Sequence, residues 1–328
     1  MMMTKFSNIA AIVNPHSAGG RTGKQWPRIA RLLEERLGAV TPRFTRRPGH
    51  AIRLARDLLA AGHDLIIAVG GDGTFNEVAN GFIDQDELVR PNSCMGIIPA
   101  GTGGDFQKML GLTSSKNIEL AVDLLATGHP SLIDTGKARF LSHQGTIQER
   151  YFINLVSFGM GGSVAARSKN FLTPLGGKMA FLWATFVVLL TYRGKEVQLC
   201  IEGDGAPAAY RVTDICVGNG RYYGGGMHPC PTAVMNDGIF EITVIEYMNM
   251  FRLLRDIGVL YSGNIYRHPK THHLRGTRIG AKSSDPTFLQ LDGEPLGRLP
   301  AQITILPRRL PVMAPTTQKP NKSNQTTY

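Results

Sequence analysis

Residues 65–82 read LIIAVGGDGTFNEVANGF, and this stretch decides the fold. A run of strand formers at 65–69 enters Gly70-Gly71-Asp72-Gly73-Thr74, after which Phe75, Val78, Ala79 and Phe82 recur at helical spacing. Strand, glycine turn and helix in that order place the turn at the carboxyl end of a parallel strand, where open α/β sheets bind their ligands. Glycines let the backbone approach a phosphate closely, and the unpaired amides at the helix start favour negative charge. An ordinary βα turn needs fewer glycines than this one carries.

Outward from this segment the pattern repeats. A strand at 9–13 is followed by Trp26, Ile29, Leu32, Leu33 and Leu37 at helical spacing, with Pro27 near the helix start. Ile52, Ala55, Leu58 and Leu59 give a second helix, 95–98 another strand and 118–126 another helix. Strands alternating with helices predict a parallel sheet covered by helices. Two more polar glycine turns follow strands, Asn14-Pro15-His16-Ser17-Ala18-Gly19-Gly20 and Gly101-Thr102-Gly103-Gly104-Asp105. Three such turns on one sheet edge would form a single phosphate-sized crevice.

After about residue 134 the period changes to two, as in Val197, Leu199, Ile201 and Phe240, Ile242, Val244, separated by Gly, Pro, Asn and Asp. The expected architecture is an α/β nucleotide domain over 1–134 and an antiparallel β domain over 135–305, interrupted by a helix near 178–192. Residues 315–328 are polar and aperiodic and are expected to be disordered.

Composition narrows the function. The 328 residues exceed the usual size of one core, and 42% are hydrophobic, enough for two. Four cysteines without a CxxC pair suggest neither a zinc ribbon nor a disulfide scaffold, and a cytoplasmic location is expected. The apolar run at 9–13 is too short for a signal peptide. The uncharged run at 179–192 falls short of the roughly 20 residues that span a bilayer. A formal charge of +11 favours phosphates, nucleic acid or anionic lipid, but no RRM, KH, zinc-finger or helix-turn-helix signature accompanies it.

Standard phosphate motifs fail. A Walker A reading of Gly23-Lys24 needs glycine at Ala18 and Ser or Thr at Gln25, and a GxGxxG reading from Gly101 needs glycine at Phe106. The protein-kinase signatures are absent as well. His228, His272 and His273 match no zinc spacing. Phe181, Trp183 and Phe186 read as packing, with a lipid path as the alternative.

The run VGGDGTFNEVANG at 69–81 closely resembles the signature of the diacylglycerol-kinase catalytic family, which includes YegS-like, sphingosine and ceramide kinases. Asn14-Pro15 with Ser17 and Gly19 is similar to the family's first motif, residues 99–106 to its third, and Asp292-Gly293-Glu294 to its acidic motif near the carboxyl terminus. The resemblance spans most of 9–307, with four motifs in order. It implies an α/β nucleotide domain, a β-sandwich lipid domain, a cleft between them and a return of the chain near 306–314 to the first domain. It also implies ATP contacts at Gly70, Gly71, Asp72, Gly73, Thr74, Phe75, Asn76, Gly101 and Thr102, with Asn14, Ser17 and Thr45 alongside. Two positions depart from the pattern: Ala18 replaces a common glycine, and Gly104 the usual asparagine.

Taken alone, Asp292-Gly293 is a plain turn between β-type runs, and so is Asn236-Asp237-Gly238. The resemblance makes Glu294, with Asp292 beside it, the base that takes a proton from the lipid hydroxyl. It likewise makes the Asp237 carboxylate and the main-chain oxygens of Val234 and Ile239 a structural Mg²⁺ site. The implied activity is transfer of the ATP γ-phosphoryl group to a lipid hydroxyl, with Mg²⁺ as the metal. Expected partners are a lipid substrate, an anionic membrane surface met peripherally and, as one assembly, a homodimer; nucleic acid is not expected. An NAD kinase shares the GGDGT element, but Asn76-Glu77-Val78 and Asn14-Pro15 favour the lipid-kinase branch. The rival from another class is a catalytically idle sensor of nucleotide or lipid.

Overall fold

The computed structural model describes residues 6–101, 103–114, 116–169, 177–203 and 206–315, with backbone alone at 168, 169, 177–182 and 184. The first third forms β1 (Ile9–Val13), α1 (Arg21–Leu37), β2 (Val40–Phe44), α2 (His50–Ala60), β3 (Leu65–Gly70), α3 (Asp72–Phe82), the small hairpin β4 (Ile83–Asp84) and β5 (Glu87–Leu88), β6 (Cys94–Pro99), α4 (Asp105–Met109) and α5 (Asn117–Thr127). β2, β1, β3 and β6 lie side by side and parallel. Every residue of β1 and β3 is buried, as a strand covered on both faces requires. α1 turns Ile29, Leu33 and Leu37 to the sheet at four-residue intervals. The strand β2 carries no apolar run and was not legible in the sequence. Pro27 lies inside α1 rather than at its start, where it removes the amide that would bond the Gly23 carbonyl.

The remainder forms β7 (His129–Ser142), β8 (Ile147–Phe152), β9 (Leu155–Gly159), α6 (Met160–Lys169), α7 (Gly177–Thr191), β10 (Lys195–Ile201), β11 (Ala208–Gly218), β12 (Phe240–Glu246), α8 (Met250–Asp256), α9 (Gly258–Ser262), β13 (Thr271–Gly276), β14 (Arg278–Lys282), β15 (Phe288–Leu291) and β16 (Glu294–Ala314). Pairings run in a closed circuit from β16 through β14, β10, β11, β9 and β15 back to β16. A second core of Phe152, Phe158, Phe240, Ile242 and Ile303 fills this unit, separate from the core beneath β1 and β3.

The 21-residue β16 pairs antiparallel with β7 along nearly its whole length. Its far end lies beside β6, with Val312 opposite Met95 in parallel register. One two-stranded ribbon thus runs through both cores and fixes the glycine edge of the first unit against the turn that begins β16. Thr102 and residues 316–328 lie outside the described residues, so two expectations, a nucleotide contact and a disordered tail, fall there.

Candidate active site

β1, β3 and β6 end side by side, and main-chain bonds lock their loops together: Asn14 N–H donates to Val69 O at 3.0 Å, and Ala100 N–H to Gly70 O at 2.8 Å. The glycines here are a packing requirement. A Cβ on Gly101 would stand 2.4 Å from Gly71 Cα, and one on Gly70 would meet Thr74 Oγ1 at 2.5 Å. Asn14 Nδ2 donates to Thr74 Oγ1 at 3.1 Å, tying the first turn to the second. Ala18, Gly19 and Gly20 all have left-handed backbone, with φ of 54°, 66° and 87°, which explains why glycine suits position 18.

The first two turns open onto a cavity of about 430 Å³, whereas the described residues of the third turn, Gly101 among them, lie behind and do not line it. Among the expected residues, Asn14, Ser17, Thr45, Gly71, Gly73, Thr74 and Glu294 line it. Glu294 leans directly over the glycine turn, its Oε1 3.1 Å from where a Gly73 Cβ would stand. His16, Arg46, Arg47 and Glu77 line the same cavity and were not singled out in the sequence. Glu77 accepts the amides of Gly49 at 2.7 Å and Ala51 at 3.0 Å, and so holds the start of α2 and the two arginines before it. The PGHA run at 48–51 beside Thr45 was the available signal for the arginines.

Other expected contacts act from beneath. Asp72 accepts the amides of Gly104 (2.8 Å), Asp105 (3.1 Å) and Phe106 (3.0 Å), so its carboxylate fastens the third turn. Burial pushes its pKa up despite these bonds. Gly104 has a left-handed φ of 81° and contributes its amide, so the usual asparagine side chain is dispensable for this contact. Phe75 is fully buried against Phe106, and its N–H donates to Gly71 O, so it supports the turn and presents no polar group to the cavity. Asn76 donates from Nδ2 to Asp292 Oδ2 at 2.8 Å and to Tyr151 O at 3.0 Å.

Asp292 and Gly293 form a two-residue hairpin turn with φ of 47° and 88°, joining Leu291 to Glu294. The plain-turn reading and the acidic-motif reading thus describe the same object. The Asp292 carboxylate accepts the amides of Ile153 (2.9 Å), Asn154 (3.0 Å) and Leu155 (2.9 Å) as well as Asn76. Burial pushes its pKa up to about 6, against those four hydrogen bonds. Saturated in this way, Asp292 positions the turn, while Glu294 faces the cavity. The Arg150 guanidinium lies behind, in the field of Glu77 and Glu294, with its pKa lowered by burial and its Nε without a hydrogen-bond partner.

Away from the cavity, Asp237 Oδ1 accepts Ile239 N–H at 3.3 Å and its Oδ2 meets Arg275 Nη2 at 3.2 Å. Burial raises the pKa of nearby Asp134, and repulsion from the Asp237 carboxylate adds to it. Arg275 thus supplies the positive charge that balances Asp237, with Asp134 nearby as a second carboxylate. A carboxylate with main-chain oxygens is the kind of donor set a hard cation takes, and in this structure Arg275 holds the Asp237 carboxylate. Among the described residues no group of three or more His, Cys, Asp or Glu converges on a point, and His272 and His273 are paired with Glu246 and Glu241.

The half-exposed rings of Trp183 and Phe186 lie 5.9 Å apart on α7, facing outward rather than into a core, while the Phe181 side chain is outside the described residues. Among the described residues no helix is long and apolar enough to cross a membrane.

Comparison with known proteins agrees with this geometry. Residues 8–138 match the diacylglycerol kinase catalytic domain, and 154–314 the YegS C-terminal NAD kinase beta sandwich-like domain. A diacylglycerol kinase of Staphylococcus haemolyticus is 32% identical over 305 residues, covering 93% of this chain and 87% of its own. A Bacillus anthracis crystal structure superposes with a TM-score of 0.75 at 25% identity, covering 95% of this chain and 97% of that one. A diacylglycerol kinase from the same Sterne strain, 23% identical, shares the fold with a TM-score of 0.69 over 95% of this chain and 98% of its own. With both domains matched in order and a relative of this identity spanning most of both chains, the chain belongs to the diacylglycerol kinase and YegS-like family of lipid kinases.

Proposed function

We propose that this lipid kinase transfers the γ-phosphoryl group of Mg·ATP to the hydroxyl of a diacylglycerol-like lipid in the cavity between the glycine turns and Glu294. The observation that carries this reading is the meeting of Gly71, Gly73, Thr74 and Glu294 around one cavity, though they come from opposite ends of the chain. Phosphoryl transfer needs little covalent chemistry from a protein and depends on positioning and charge stabilisation. Turn amides and the α3 start hold the nucleotide phosphates, Arg46 and Arg47 supply positive charge at the rim, and Glu294 accepts the hydroxyl proton. Asp72, Asn76 and Asp292 fix the three segments that carry these groups. Mg²⁺ enters with ATP, and a second Mg²⁺ on Asp237 serves structure rather than the transfer step.

Membrane contact is part of the same proposal. Trp183, Phe186 and Leu190 on α7, with Phe251 and Leu254 on α8, expose apolar side chains, and the +11 charge favours an anionic surface. The reading is tested by offering γ-labelled ATP and Mg²⁺ to the purified chain with vesicles of diacylglycerol, ceramide, phosphatidylglycerol or a sphingoid base, and with NAD as a soluble acceptor. Label in a lipid product supports it. Label in NADP alone would move the protein to the NAD kinase branch, and no label in any acceptor would leave the idle sensor.

A further inference from the structure

The turn that presents Glu294 is held on two sides. Asp292 grips the amides of 153–155 on one side. On the other, the Gly293 N–H donates to Oε1 of Gln290 at 2.5 Å. Nε2 of the same side chain donates to Ser157 Oγ at 3.0 Å, and the two residues stand directly opposite each other on β15 and β9. Both are buried. Burying an unpaired amide is costly, and here both of its ends are used.

Beyond Asp292, the described residues restrain the hairpin tip little. Gly293 has a left-handed φ of 88°, and a Cβ placed on it would meet no atom of the described residues within 4 Å, so packing does not fix its peptide. The ladder behind the turn is interrupted as well, because the register of β15 against β16 slips between Leu289 and Gln290. Gln290, at the slip, reaches forward with its side chain to a peptide that the ladder does not hold. Its own backing is rigid: Cβ atoms on Gly161 and Gly162 would stand 2.8 Å from Ser157 Oγ and 2.1 Å from Phe288 O, so the start of α6 presses on β9 and β15. The Ser157 hydroxyl also decides which way the amide faces. Turned over, Gln290 would present its NH₂ group to the Gly293 N–H, donor against donor.

We propose that Gln290 is a positioning residue for phosphoryl transfer: braced on Ser157, it fixes the peptide that joins Asp292 to Gly293 and so keeps the Glu294 carboxylate over Gly73. This rests on the reading that Glu294 takes the hydroxyl proton. Asp292 and Gln290 have separate tasks. Asp292 ties the hairpin to α3 and to 153–155, which sets where the turn stands. Gln290 sets how the turn is tilted. Released from Gln290, the peptide can rotate, and glycine passes that rotation on to Glu294. Among the described residues the Gln290 side chain bonds to Gly293 and Ser157, neither of which lines the cavity. Its effect therefore falls on the transfer step and not on ATP binding.

The test uses the full chain with Mg·ATP and vesicles containing diacylglycerol, and compares Gln290→Met, Gln290→Glu and Ser157→Ala in kcat, KM for ATP and Tm. Gln290→Met keeps the length of the side chain and removes both hydrogen-bonding ends. Its kcat should fall about tenfold with KM for ATP within about twofold, since misplacing a reacting group by about 1 Å costs up to about a hundredfold. Gln290→Glu keeps an oxygen for the Gly293 N–H, and its other oxygen meets the Ser157 hydroxyl as acceptor when ionised or as donor when protonated. Its kcat should stay within about threefold of wild type, although burying an acid lowers Tm at least as far as methionine does. A role in stability alone would make kcat follow Tm instead. If Gln290→Met does not fold, Ser157→Ala, which frees the amide to turn over, takes its place: a lowered kcat at unchanged KM supports the role, and wild-type kcat overturns it. Glu294→Gln is measured alongside. With Glu294→Gln inactive, wild-type kcat in Gln290→Met, or equally low kcat in Gln290→Met and Gln290→Glu, overturns the Gln290 role alone. A fully active Glu294→Gln overturns the proton-acceptor reading on which that role rests.

Discussion

The Asn76 side-chain amide meets the Asp292 carboxylate at 2.8 Å, although 216 positions separate them in the sequence. Asn76 sits one turn into α3, directly after the glycine turn, and Asp292 begins the hairpin that delivers Glu294. This bond therefore sets the distance between the phosphate-binding edge and the group that accepts the proton. From the hairpin, Asp292 makes four ties, one to Asn76 on α3 and three to the successive amides of 153–155.

Asp292→Asn should accordingly lower stability. The substituted amide presents two hydrogens to buried donors, leaving at least one main-chain N–H without an acceptor, at a cost of about 2 kcal/mol. Chemical denaturation of the wild type and the variant reads the difference. Equal unfolding free energies would mean that the four bonds are not a structural tie.

Gly101→Ala should damage the nucleotide site from below. Its methyl group would lie 2.4 Å from Gly71 Cα, a main-chain atom that cannot rotate away, so the two turns must separate. Overpacking of this kind costs about 1–3 kcal/mol. Calorimetric titration with Mg·ATP should show affinity falling about tenfold or more, by the conversion of that strain into binding. Wild-type affinity in a variant that melts normally would place the nucleotide elsewhere.

Asp237 offers a separate test by melting temperature. With a hard cation held there, Mg²⁺ without nucleotide should raise the wild-type Tm, and Asp237→Asn should abolish the rise by removing the carboxylate ligand. The same rise in both proteins would put the cation at another place; no rise in either would leave Arg275 as the partner of Asp237.

Much of the first unit was legible because its signals are local. The strand, glycine turn and helix at 65–82, and the hairpin sequence Asp292-Gly293, each carry their conformation in a few adjacent residues. Asp72, Asn76 and Phe75 sit in the legible motif, yet their contacts lie with Gly104, Asp292 and Phe106, partners fixed by tertiary packing. Glu77, Arg46 and Arg47 look like ordinary surface charges in sequence and become cavity residues only when α2 packs beside α3. The β7–β16 ribbon pairs His129 with Ala314, a separation no short-range pattern encodes. Buried Gln290 was equally silent, since its partner Ser157 belongs to another strand.

Membrane association should be reversible and salt-sensitive. Vesicles rich in anionic lipid should bind the chain at low ionic strength and release it as salt rises, with surface charges screened over about 8 Å at physiological strength. Phe251→Ala, which removes a side chain that is 77% exposed, should weaken binding without affecting Tm. Cosedimentation that is indifferent to both salt and Phe251 would count against this surface.

The most direct measurement is the rate at which label from γ-labelled Mg·ATP enters diacylglycerol in mixed vesicles, for the wild type and for Glu294→Gln. Loss of a positioned proton acceptor typically costs about 10²–10⁴-fold in rate, and the substitution keeps the size of the side chain. The account predicts a labelled lipid product from the wild type and a kcat at least about a hundredfold lower in Glu294→Gln, with KM for ATP and Tm unchanged. Equal rates for the two proteins would contradict it.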